Sequence, residues 1–323
     1  MPPDPQALLD YFDACRLGDI GGIRAALAAG LGLEVDFSLR AEHNLPDPPR
    51  CGPLRSPGSP YLFPATPLMV AMRFDQRLAA EYLLDQGAST RTTNRQGRTW
   101  LHLFAWGGKA WHVALLMDHP RSALGVDDYS GQIEQETPLF CACFHQNEAA
   151  CRELLARGAD PNRFQRIEGT DYRFNALHQA ARHARLGVVE MLLAHGADPN
   201  QRTLPPLQNP SSVFENGRFT ALHLALLPKS IYKRGQDGAA RDTLDTIRAL
   251  LRAGADPALT CECQLPVNER FDGLTPYDFE VARRRELDEE FGPRAVTSGW
   301  FVRNPPEVLE LLRVKSGSKI ATD

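Results

Sequence analysis

The chain has 323 residues, 43% of them hydrophobic, with 36 basic against 40 acidic side chains and a formal net charge of −4. That is enough apolar content for a large folded body, and an extended repeat array can exceed the usual size of a single core. The charge balance lacks the basic excess of a duplex-binding protein, so nucleic acid is not expected as a partner. The apolar runs are short stripes, far below the roughly 20 residues that a membrane span needs.

In chain order, the proline-rich start lacks the basic and apolar regions of a secretory signal. Helical periodicity then sets in over residues 7–30, where Tyr11, Ala14, Cys15 and Ile23 take core positions and Asp10, Asp13 and Arg16 suit an N-terminal cap. Further helical hairpins are expected over 66–87, 99–120, 137–158, 175–196 and 220–254, followed by a divergent seventh from 272. Residues 272–315 form a C-terminal cap. There Arg284 can pair with Asp288, and Arg285 with Glu289, four residues apart on a helix. A last helix follows Asn304, with Pro305 at its first position and Val308, Leu309, Leu311 and Leu312 apolar. Residues 316–323 are a frayed tail.

These hairpins carry one recurring signature. Leu154-Leu155-Ala156-Arg157-Gly158-Ala159-Asp160-Pro161-Asn162 returns as Leu192-Leu193-Ala194-His195-Gly196-Ala197-Asp198-Pro199-Asn200, and again as Leu250-Leu251-Arg252-Ala253-Gly254-Ala255-Asp256-Pro257. A weaker copy is Leu83-Leu84-Asp85-Gln86-Gly87-Ala88-Ser89, and a second signal recurs five times ahead of the outer helices: Thr66-Pro67-Leu68, Thr99-Trp100-Leu101-His102, Thr137-Pro138-Leu139, Asn175-Ala176-Leu177-His178 and Thr220-Ala221-Leu222-His223. Physically, Thr or Asn caps an inner helix, Pro fits its first turn, and Gly ends the outer helix in the left-handed region. Both motifs, in order and in register, resemble the ankyrin repeat, whose unit is about 33 residues with a Thr-Pro-Leu-His start. The resemblance covers most of residues 7–315. It implies an all-α solenoid of about seven stacked helix-turn-helix units joined by hairpin loops.

The array departs from the family in three insertions, 31–65, 201–217 and 228–242. The first is proline-rich, with Tyr61, Leu62 and Phe63 placed to pin its end. The second carries Pro205, Pro206 and Pro210, and the third carries Lys229, Lys233, Arg234 and Arg241. Loops this long are either functional or tolerated decoration.

Helical geometry also predicts a binding face. In the fifth unit Leu177, Ala180 and Ala181 face the core, leaving Gln179, Arg182 and His183 opposite. Equivalent positions elsewhere are Val70, Arg73 and Phe74; Leu103, Trp106 and Gly107; Cys141, Phe144 and His145; and Leu224 with Leu227. The expected surface is an apolar, aromatic groove flanked by arginines. Its contact residues are Arg73, Phe74, Trp106, Phe144, Arg182 and His183, with Trp100, which replaces the family's proline, added to them.

Catalytic patterns are weak. The recurring His102, His178 and His223 resemble the family's structural histidine, which hydrogen-bonds the loop backbone between units. The Cys261-x-Cys263 and Cys141-x-Cys143 spacings are tight for zinc. Gly18-Asp19-Ile20-Gly21-Gly22 lacks the strand and the Gly-Lys-Ser/Thr ending of a phosphate loop. The odd count of 7 cysteines suits reduced thiols in an intracellular, cytoplasmic protein, without excluding the nucleus. The reading is a non-enzymatic, monomeric scaffold that binds a protein or peptide through its concave face and long loops, without cofactor, metal, membrane or nucleic acid. The alternative is an enzyme or small-ligand binder whose pocket the inserted loops roof, with Glu42, His43 and Cys51 as the first residues to test.

Overall fold

A threonine or asparagine hydroxyl or amide in front of a short apolar helix is the recurring local event. The computed structural model describes residues 4–37, 65–94, 97–131, 135–166, 173–204, 217–227, 236–263, 273–291 and 304–316. Thr66 and Thr137 accept the backbone N–H of Met69 and Phe140 at 3.3 and 3.2 Å, and each is followed by Pro at the first helical position. Asn175 does the same for His178 at 2.8 Å.

Contacts divide the chain into two units, Met1–Ala159 and Asp160–Asp323. The first holds α1 (Pro5–Leu17), α2 (Ile20–Ala28), α3 (Pro67–Arg73), α4 (Arg77–Gln86), α5 (Trp100–Gly107), α6 (Ala110–Asp118), α7 (Pro138–Phe144) and α8 (Glu148–Ala156). They pair in sequence as hairpins. Inner α1 packs on α3 and α5 on α7, while outer α2, α4, α6 and α8 pack in succession. The core is the apolar stripe between them: Tyr11, Phe12, Ile23, Leu68, Leu83, Leu101, Phe104, Leu116, Phe140 and Leu154 are all buried.

The first insertion leaves and re-enters this unit at one point. Phe37 donates its N–H to the Ala65 carbonyl at 3.0 Å, and Ala65 donates back to the Asp36 carboxylate at 2.9 Å. The Phe37 ring sits edge-on to Tyr11 and Phe12 at 5.6 and 5.5 Å. Residues 38–64, with Glu42, His43, Cys51 and the expected pin Tyr61, Leu62 and Phe63, lie outside the described residues.

The second unit holds β1 (Gln165–Arg166), β2 (Arg173–Phe174), α9 (Ala176–Arg182), α10 (Leu186–Ala194), β3 (Gly217–Arg218), α11 (Ala221–Leu226), α12 (Gln236–Arg252), β4 (Glu262–Cys263), α13 (Pro276–Phe291) and α14 (Glu307–Ser316). The two-residue strands are loop pairings, β1 antiparallel to β2 and β3 to β4. Inner α9 packs on α11, and outer α10 on α12.

The Gly-Ala-Asp-Pro-Asn turns interlock. Asn162 donates to the Gly196 carbonyl at 2.9 Å and accepts the Asp198 N–H at 2.8 Å, and Asn200 repeats this with Gly254 and Asp256 at 3.0 and 2.7 Å. Gly196 sits at φ 85°, a left-handed cap that a Cβ disfavours.

One element differs from the sequence reading. Residues 236–242, expected as loop, are the first turns of α12; Ala239, Ala240 and Arg241 are strong helix formers ahead of the buried face of Thr243, Thr246, Ile247 and Leu250. Residues 205–216 and 228–235 of the other loops lie outside the described residues. In the C-terminal region Arg284 reaches back to the buried Glu280 at 2.9 Å, and the side chains of Asp288 and Glu289 lie outside the described residues. Asn304 donates to both Glu280 and the Leu226 carbonyl at 3.0 Å, fastening the start of the last segment to α11 and α13.

Candidate functional site

Five inner helices are enclosed almost to their ends. Leu68 to Met72 in α3, Trp100 to Ala105 in α5, Pro138 to Cys143 in α7, Ala176 to Ala181 in α9 and Ala221 to Leu226 in α11 are all buried. A seven-residue helix has no free face once its own outer helix and neighbouring hairpins cover it. The expected apolar middle of a groove is therefore corrected: Val70, Leu103, Cys141, Gln179, Leu224 and Leu227 are core residues. Trp100 is corrected for the same reason. It is 0% exposed at the first position of α5, where the side chain packs inward.

In each unit taken by itself, the C-terminal ends of the inner helices stay accessible, and they carry the other six predicted residues. In the first unit Arg73 and Phe74 end α3, half-buried, and Phe74 meets Phe12 edge-on at 6.3 Å. Trp106, half-buried near the end of α5, stacks on His145 with ring centroids 4.0 Å apart and planes at 19°. Phe144 ends α7, is 43% exposed, and stands edge-on to the same imidazole at 4.9 Å. The structure thus joins Trp106 and Phe144 through His145, a residue that sequence reasoning placed on this face but did not select. In the second unit Arg182 is half-buried and His183 exposed at the end of α9.

The ground beneath the aromatic group is polar. Arg98 grips Glu136 at 2.7 and 3.1 Å with both side chains only about a tenth exposed, at 10% and 11%. Cys141 points its thiol at the same carboxylate at 3.6 Å. Burial, and then the Arg98 charge, push His145 down to about 4, so the Trp106–His145 stack is neutral near pH 7. The pairing was detectable in principle: Arg98 and Glu136 each immediately precede the threonine that opens an inner helix.

The recurring histidines bridge successive loops. His102 Nδ1 accepts the Thr99 N–H at 3.2 Å, and its Nε2–H donates to the Glu136 carbonyl at 2.9 Å. His178 spans Asn175 and Gln201 at 3.2 and 2.8 Å, and His223 spans Thr220 and Leu274 at 3.4 and 3.2 Å. His112, unremarked in the sequence, does the same from an outer helix. Among the described residues no three His, Cys, Asp or Glu side chains converge as a metal site would require. Also among them, no helix is long and apolar enough to cross a membrane.

Capped inner helices, glycine-ended outer helices and histidine-bridged loops define a helical repeat protein. Residues 123–203 match the family model for ankyrin repeats in 3 copies. The chain has the ankyrin-repeat fold, and residues 123–203 are ankyrin repeats by sequence. It is similar to NF-kappa-B inhibitor delta of Mus musculus, 29% identical over 210 residues that cover 62% of this chain and 55% of that protein. Ankyrin repeat and SOCS box protein 16 of Mus musculus is 36% identical over 107 residues, 31% of this chain and 21% of that protein. Rabankyrin-5 of Mus musculus is 27% identical over 161 residues, 50% of this chain and 12% of that protein. The chain therefore spans between 12% and 55% of these relatives' lengths. Among solved structures, the ankyrin repeat domain of Bcl-3 superposes with a TM-score of 0.58 at 20% identity, covering 94% of this chain and 97% of that one, a likeness of fold.

Proposed function

We propose that the chain is a non-enzymatic scaffold, acting as a monomer inside the cell, that binds a protein or peptide. The contact residues lie at the ends of inner helices: Arg73, Phe74, Trp106 and Phe144 on the first unit, and, on the second unit taken by itself, Arg182 and His183. The observation that carries this reading is the exposed Phe144 beside the Trp106–His145 stack. Large aromatic side chains left accessible among otherwise enclosed helices are typical interface anchors. Burial and the Arg98 charge keep His145 neutral near pH 7, so the aromatic group offers a partner an uncharged surface.

The name of the relative NF-kappa-B inhibitor delta makes an NF-kappa-B protein the first partner to test. The experiment is affinity capture on the wild-type chain beside a Trp106→Ala/Phe144→Ala variant that melts at the same temperature. The reading expects a partner retained by the first and lost by the second. Equal retention by both would remove this edge from the account.

A further inference from the structure

Among the described cysteines, one pair meets. Cys143 stands one residue before the end of α7 and Cys151 in the middle of α8, and their sulfurs lie 3.5 Å apart in the seam of that hairpin. Both are buried free thiols. Cys141, two residues earlier on α7, points elsewhere, with its thiol on the Glu136 carboxylate at 3.6 Å. Cys15 belongs to α1 and Cys261 to the second unit. A disulfide holds its sulfurs about 2.05 Å apart, so the pair has to close by about 1.5 Å, shared between two side chains. A closure of that size is within the reach of rotation about the two Cα–Cβ bonds, because α7 and α8 are already packed on each other.

We propose that Cys143 and Cys151 are a modification site that closes into a reversible disulfide, with a low-molecular-weight disulfide such as oxidised glutathione as the co-substrate. The Cys143 thiolate attacks one sulfur of oxidised glutathione. That breaks the glutathione S–S bond, forms a mixed disulfide on Cys143 and releases one glutathione thiolate. The Cys151 thiolate then attacks the Cys143 sulfur and expels the second. The two cysteine protons pass to the two glutathione thiolates, so the protein dithiol is oxidised and one glutathione disulfide is reduced to two thiols. Excess glutathione thiol runs the steps backwards. In the closed hairpin the hydrogen bond with Cys151, and then burial, push the Cys143 thiol well above its ordinary range. Attack therefore starts when the hairpin opens and the thiol meets water, and reclosing brings the second sulfur to the first. The cross-link fastens the last turn of α7 to α8 directly beside Phe144. It stands whether or not a partner lies on the inner-helix edge.

The test is the equilibrium of the whole chain with glutathione buffers of graded thiol-to-disulfide ratio, once in urea and once after refolding from urea in the same buffers. Glutathione reaches every thiol of the unfolded chain, so access limits neither sample. After acid quenching and alkylation of the remaining thiols, cleavage after Glu148 separates Cys143 from Cys151 and leaves Cys141 on the Cys143 peptide, where its alkyl group identifies it. The effective concentration of one thiol toward the other should be about tenfold or more higher in the folded chain than in urea, since the same factor measures how far a native cross-link suppresses unfolding. Cys141→Ala should keep the cross-link, and Cys151→Ala should leave only mixed disulfides with glutathione. Should either variant fail to fold, the wild-type comparison decides alone. An effective concentration no higher in the folded chain than in urea would overturn the proposal, and so would a Cys141–Cys151 link in place of the Cys143–Cys151 one.

Discussion

Gly131 donates its backbone N–H to the Gly97 carbonyl at 3.3 Å, so two loop tips of the first unit meet backbone to backbone. A Cβ on Gly97 would lie 2.5 Å from the Gly131 Cα, and Gly97 itself sits at φ 74°. Gly97→Ala therefore meets both a clash and a strained backbone. It should cost roughly 2 kcal/mol or more, read as a lower midpoint in urea with an unchanged slope.

Arg98 and Glu136 form a buried pair, so removing one partner differs from removing both. Glu136→Gln leaves a guanidinium charge facing a neutral amide and should cost about 3 kcal/mol. Arg98→Met/Glu136→Leu should cost clearly less than the Glu136→Gln single variant. Equilibrium unfolding of the two variants checks the order.

Three non-glycine residues, Asp75, Gln146 and Ala184, hold left-handed φ angles of 64°, 63° and 48° at the turn between inner and outer helix. Gln146→Gly should stabilise by about 1 kcal/mol, because its exposed side chain gives up little and the strain is relieved. Ala184→Gly should gain less, since the buried methyl is lost. Asp75→Gly should destabilise, because its carboxylate holds Lys109 and accepts the Trp111 N–H at 2.7 Å. Melting temperatures of the three variants give the ranking.

The repeat itself was legible because each local signal has one cause. Thr or Asn before an apolar run is a cap, Gly after Leu-Leu is a left-handed stop, and the histidine three residues into the inner helix is a loop bridge. The candidate surface was legible only in part. A helical projection divides a helix into a core side and an open side, but Val70, Leu103, Cys141 and Leu224 lie in helices enclosed on every side. The end residues Arg73, Phe74, Trp106, Phe144, Arg182 and His183 were reachable because they follow the last full turn. Trp100 misled because the first helical position is itself enclosed: Pro67 and Pro138 are buried there, and so is the indole. The His112 bond to the Met72 carbonyl joins residues more than one repeat apart, and only the fold brings them together, whereas Arg98 and Glu136 share the position before the capping threonine.

The central claim is that a partner lies on the inner-helix edge, and oxidative footprinting of the chain alone and with its captured partner tests it most directly. The account predicts that Trp106 and Phe144 lose reactivity on binding while the exposed Leu78 of outer helix α4 does not. Protection of Leu78 with Trp106 and Phe144 unchanged would contradict it.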